Sequence, residues 1–167
     1  AGVGDVSANQ TIVPVSADGS ISLFSFAETH LIADVTGYVT SADADASRTG
    51  LFVALAPTRM FDTREGSEAP GPKGRLAAGD SISPQIAGVN DVPEGVPGAM
   101  LNITAVNADR NGFVTVWPNG ESRPTASTVN VSQPGDIRAA GVVMALGDGG
   151  AVSLYSSTGI DLIGDAF

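Results

Sequence analysis

The chain has no cysteine, one histidine and one tryptophan among its 167 residues, and only eight Lys and Arg against eighteen Asp and Glu. Without cysteine, disulfides and thiolate metal sites are excluded, although the compartment stays open because a core of this size needs no staples. A net charge of −10 supplies no basic face to displace counterions from phosphates. Nucleic acid is therefore not an expected partner, and anionic membrane surfaces are disfavoured for the same reason. No apolar run approaches the roughly 20 residues of a membrane span, so no membrane insertion is expected. Nowhere does an apolar i, i+3, i+4, i+7 pattern hold for three turns, so helix content should be near nil. The chain opens at Ala1 without an initiator Met or a signal-peptide pattern, and reads as a processed mature form or an excised fragment.

What the chain does have is a repeat. Moved forward by 131 positions, Gly4–Thr36 lies on Gly135–Phe167 without a gap. Identities include Gly4/Gly135, Asp5/Asp136, Leu23/Leu154, Leu31/Leu162, Ile32/Ile163 and Asp34/Asp165, with conservative exchanges such as Ile21/Val152 and Phe24/Tyr155 between them. Such self-similarity decides architecture before any other feature does. It divides the chain into residues 1–39, the closing strands of a preceding copy or donor strands, a small polar linker at 40–50, and a module at 51–167.

Gly (21) and Pro (10) are plentiful and punctuate short β-type runs. In the leading part these runs are Thr11–Val15, Ser20–Phe24 after the Asp18-Gly19 turn, and His30–Val39. In the module they include Ser81–Ile86, Ala99–Asn107, Gly112–Trp117, Thr128–Ser132, Ala140–Leu146, Ala151–Ser156 and Ile160–Ala166. Asp109–Gly112 reads as a hairpin turn between two of them. About nine short strands with regular turn signals predict an all-β fold, an antiparallel, jelly-roll-like β-sandwich.

Few residues carry candidate chemistry. Arg59, Asp62 and Arg64 crowd charge into an apolar run, and Asp34 and Asp165 recur at one repeat position inside apolar strands. A carboxylate there needs a partner, so Asp165 is expected to pair with Arg64 or Arg59 as a lock between the module's first and last strands. A ligand or metal site at the same place is the competing reading. Asp43 and Asp45 lack the glycine and later ligands of a calcium loop, and no cofactor is expected. His30, whose counterpart is Asp161, has no spaced partners for zinc or proton transfer. Trp117 stands at a strand end, where it serves either the core or the rim of a sugar-binding platform. Asn9, Asn102 and Asn130 begin N-glycosylation triplets, a pattern common by chance. No nucleophile elbow or singled-out carboxylate pair marks an enzyme.

Taken in order, Pro57-Thr-Arg-Met-Phe-Asp-Thr-Arg64, Leu101-Asn-Ile-Thr-Ala-Val106, Gly112-Phe-Val-Thr-Val-Trp-Pro118, Arg123-Pro-Thr-Ala-Ser127 and Leu31-Ile-Ala-Asp-Val-Thr-Gly-Tyr38 resemble the repeat modules of secreted and surface proteins of actinobacteria and other environmental bacteria. The resemblance covers nearly the whole chain. It implies an exported β-rich module, extracellular or at the cell surface, set in tandem or beside catalytic domains and with no catalytic residues of its own to carry over. One departure is the ending Leu162–Phe167, which stops before the Gly-Tyr that follows the same motif at Gly37-Tyr38. The leading apolar strands would be an aggregation hazard unless they pack on the following module or complete another chain. The expected role is a non-enzymatic structural module that self-assembles into filaments, surface arrays or adhesin stalks. Its partner would then be itself, head to tail, or an adjacent repeat. The alternative is an accessory module of a larger secreted protein that binds carbohydrate or the cell surface, with cell-surface polysaccharide as its partner.

Overall fold

The computed structural model describes residues 6–39 and 51–167. The linker assigned to 40–50 lies outside the described residues. Eight strands make up the module: β1 (Thr58–Asp62), β2 (Ser81–Ile82), β3 (Gly98–Val106), β4 (Gly112–Pro118), β5 (Val129–Val131), β6 (Arg138–Ala145), β7 (Val152–Ser156) and β8 (Asp161–Ala166). One 3₁₀ turn, Asp148–Gly150, is the sole helical element among the described residues.

The strands form two four-stranded sheets, ordered β1-β8-β3-β6 and β2-β7-β4-β5, and every pair is antiparallel. The first strand pairs with the eighth, the second with the seventh, the third with the sixth and the fourth with the fifth. A long hairpin rolled up on itself gives this order, which is the eight-stranded jelly roll. The predicted all-β sandwich is the observed fold. Period-two alternation turns one face of each strand inward: Leu101, Ile103 and Ala105 from β3, Val114 and Val116 from β4, Val152 and Leu154 from β7, and Leu162 and Ala166 from β8. Among the described residues every buried member of the apolar core lies between Met60 and Ala166, within the module.

Three local expectations change. Asp109–Gly112 is not a hairpin turn, because β3 and β4 lie in different sheets and the segment carries the chain from one to the other. Turn chemistry specifies a reversal but cannot specify which sheet receives the next strand. The run at Ser81–Ile86 holds only two strand residues, and beyond Pro84, which has no N–H to give a ladder, it continues as a single bridge from Gln85 to Ala151. Residues 6–39 contain no strand, although their sequence repeats β6, β7 and β8. Their Asp18-Gly19 turn is in place, with Gly19 at φ +78° and Ser16 N–H bonded to the Ser20 carbonyl at 3.0 Å. The turn needs only local atoms. The copied β7 and β8 occupy interior positions in their sheets, and a strand there requires a neighbour on each side.

Consequently the leading segment shows its apolar side chains to solvent, Phe26 at 98% and Ile32 at 89% exposure. Its described contact with the module is slight. The Gln10 side-chain oxygen accepts the Val143 N–H on the open edge of β6 at 2.7 Å, and Val6–Ala8 skirt a hollow beside Asn130 and Arg138.

Candidate functional site

The seam between β1 and β8 gathers most of the charged residues singled out in the sequence. β1 meets β8 with Arg59 opposite Asp165, and a bulge then inserts Met60 so that Phe61 faces Gly164. The bulge sends both Met60 and Phe61 into the core and leaves Arg59 outside, where its Nε donates to Asp165 Oδ1 at 2.5 Å. Of the two arginines considered as partners for Asp165, Arg59 is the one that reaches it.

Arg64 turns instead to Asp62. Its Nη2 lies 2.6 Å from Asp62 Oδ2 and its Nε 3.0 Å from Oδ1, while its backbone N–H also donates to Oδ1 at 3.1 Å. Arg59 Nη1 adds a bond to Asp62 Oδ2 at 3.1 Å. Asp62 is 2% exposed and would be costly there without these donors. The Arg64 hydrogen bond, against the opposing effect of burial, holds its carboxyl down at about 2. Thr63 closes the seam: it is fully buried, its Oγ1 accepts the Leu162 N–H at 2.8 Å, and its own N–H donates to the Leu162 carbonyl at 2.9 Å. Asp34, the repeat counterpart of Asp165, is exposed and takes part in no ion pair among the described residues.

A second cluster was not singled out from the sequence. Arg75, in the loop between β1 and β2, donates from Nη1 to Asp161 at 2.9 Å and from Nη2 to Asp109 at 2.6 Å. It also bonds the carbonyl of Gly159, at 3.1 Å, and that of Asn107. Arg75 therefore ties the start of β8 to the crossover between β3 and β4. Only the equivalence of His30 with Asp161 pointed towards this place, and Arg75 itself lies 86 residues from Asp161. The adjoining hollow, 420 Å³ and open, is lined by Arg75, Asp109, Arg110 and Thr158 among others. Both carboxylates there are spoken for by one guanidinium, which is the chemistry of a clasp.

Trp117 sits on the outer face of its sheet, away from the inter-sheet core, yet it is only 9% exposed. The loop after β4 folds over it, and its indole N–H donates to the Glu121 carbonyl at 2.9 Å. The indole offers no open stacking face. Beside it, Tyr155 carries the Arg123 guanidinium 3.7 Å above its ring centre, so that face is also occupied. Asn130 Nδ2 is buried without a partner among the described residues, which withdraws it from the glycosylation triplets. Among the described residues no three His, Cys, Asp or Glu side chains gather as a metal site, and no helix is long and apolar enough to cross a membrane. Comparison with protein-family models, curated proteins and solved structures returned no match.

Proposed function

We propose that this chain is a non-enzymatic structural module of an exported, tandemly repeated protein, and that neighbouring modules are joined by donated strands. One observation carries the reading. Residues 4–36 repeat a sequence that forms β6, β7 and β8 in the module, and yet their described residues form no strand and expose their apolar side chains. Exposed segments of this composition seek a sheet. Among the described residues the module has open edges at β1, β6, β2 and β5. Strands added head to tail make a contact that does not close on itself, and it propagates as a filament or array. The extracellular or cell-surface setting rests on the resemblance described above, and the acidic surface suits solubility there.

The test is the mass in solution, by light scattering over a range of concentrations, of residues 1–167 beside a chain starting at Thr49. The shorter chain retains every described residue of the core and is expected to fold alone. Concentration-dependent association of the full chain with a monomeric shorter chain is the expected result. Two monomers at every concentration would remove the reading.

A further inference from the structure

The repeat invites the idea that the leading strands could replace β6–β8 in a second copy of this same chain. The contacts around β6–β8 argue against it at four matched positions. Ala33 corresponds to Gly164, where an added Cβ would lie 2.1 Å from Phe61 Cε1 and 2.6 Å from Cζ. Ser16 corresponds to Gly147, where a Cβ would lie 1.9 Å from the backbone oxygen of Asn119. Glu28 corresponds to Gly159, whose Cβ would meet Asp109 Oδ2 at 1.9 Å, so a second carboxylate would be driven onto the first. His30 corresponds to Asp161, and the exchange removes the carboxylate that Arg75 holds at 2.9 Å. The clashes at Gly147 and Gly164 meet backbone and the fully buried Phe61, neither of which can step aside cheaply, whereas the Asp109 side chain met at Gly159 is exposed and can turn away only by leaving Arg75.

Elsewhere the two sets agree in kind: Ile21 for Val152, Leu23 for Leu154, Ser25 for Ser156, Leu31 for Leu162 and Asp34 for Asp165. The leading strands thus keep the pattern of this fold while missing the details of this frame. We infer that residues 4–36 are made for the β1–β5 frame of a related but non-identical module. That frame carries a side chain smaller than phenylalanine where this one has Phe61, and a neutral or basic residue where this one has Asp109. Between identical copies only pairing along open edges remains. The small residues of β8 and its approach act as a specificity device, since an unfavourable contact rejects the wrong strand as effectively as a favourable one accepts the right one. This inference rests on the strand-donation reading and narrows its partner.

The cysteine-free chain allows a direct test. Thr104 and Ile163 face each other across β3 and β8 on the outer side of the sheet, and Ile32 is the counterpart of Ile163. In full-length Ile32→Cys/Thr104→Cys, refolded from denaturant in a thiol–disulfide buffer, a 32–104 bond forms only where a leading strand has taken the place of β8, within or between chains. Peptide mapping is expected to find none. Thr104→Cys/Ile163→Cys, refolded alongside, should close its bond within the monomer and establish that the register is native. Adding Ser16→Gly, Glu28→Gly, His30→Asp and Ala33→Gly matches the leading strands to the frame, and Gly164→Ala handicaps the resident strand. In that chain the 32–104 bond should appear. A bond in the unmatched chain overturns the inference, and so does its absence from the matched one. Failure of strand donation itself would show separately, as loss of association in light scattering.

Discussion

Gly164→Ala adds one methyl group to the centre of a sheet, and two effects of opposite sign follow. Alanine restricts the unfolded chain more than glycine does, which favours the folded state by about 0.4–1 kcal/mol where the native backbone accepts it. Against this, the new Cβ would stand 2.1–2.7 Å from three atoms of the Phe61 ring, whereas carbon atoms rest about 3.5–4.0 Å apart. The ring would have to retreat by more than about 1 Å. It has little room to do so, because Phe61 is fully buried in a close-packed core. Overpacking of this kind costs about 1–3 kcal/mol, so it outweighs the entropic gain, and a net loss of about 1–2 kcal/mol is expected. For a module of roughly 120 residues that is a fall in Tm of about 4–8 °C, measurable by calorimetry or circular dichroism. The cause is checked by Phe61→Leu, which makes room at the cost of a cavity. Combined with Gly164→Ala it should be less damaging than the sum of the two, with a coupling of about 1 kcal/mol. An unchanged or raised Tm for Gly164→Ala, or simple additivity in the cycle, refutes the reasoning and weakens the account of strand specificity with it.

Two further outcomes concern the charged seam. Asp62 titrates at about 2 in the folded protein against an ordinary 3.8. Its contribution is therefore fully present above about pH 4 and lost as pH falls through about 2. Asp62→Asn should lose about 2 kcal/mol in urea unfolding at pH 6, with the gap to the native chain closing between about pH 4 and pH 2. A gap that persists undiminished at pH 2 would assign the loss to something other than the carboxylate charge. Asp165→Asn breaks a pair whose Arg59 is 40% exposed, so solvent screening limits the cost to less than about 1 kcal/mol. Melting indistinguishable from that of the native chain would show that the pair locks nothing, and a loss well beyond 1 kcal/mol would mean that Asp165 holds more than Arg59.

The seam and the leading segment mark how far the residues could be read in advance. Alternation along Gly112–Trp117 and Ala151–Ser156 placed β4 and β7, and the recurrence of Asp34 and Asp165 within apolar strands marked a carboxylate that needed a cation. The Arg75 clasp could not be seen, because its two carboxylates, 34 and 86 residues away, come together only when β8 is seated beside β3. Nor could the bulge at Met60, which decides that Arg59 and not Arg64 faces Asp165. In the sequence Trp117, at its strand end, was open to either the core or a binding rim, and Tyr155 lies beside it on the paired strand β7. Both lie on the outer face of one sheet, where a loop rather than the opposite sheet covers the indole.

By itself the sequence determined the all-β class, the places of most strands and the 131-residue repeat, because side-chain period acts over a few neighbouring residues. Only the tertiary structure decided which sheet each strand joins, which arginine meets which aspartate, and whether a strand-forming sequence becomes a strand. The last point is plainest in the two copies. Leu23 and Leu154 stand at the same repeat position, but β7 has β2 and β4 on either side to complete its hydrogen bonds, and the leading copy has no such neighbours among the described residues. A strand is a property of the pair, and the partner is set by contacts far away along the chain.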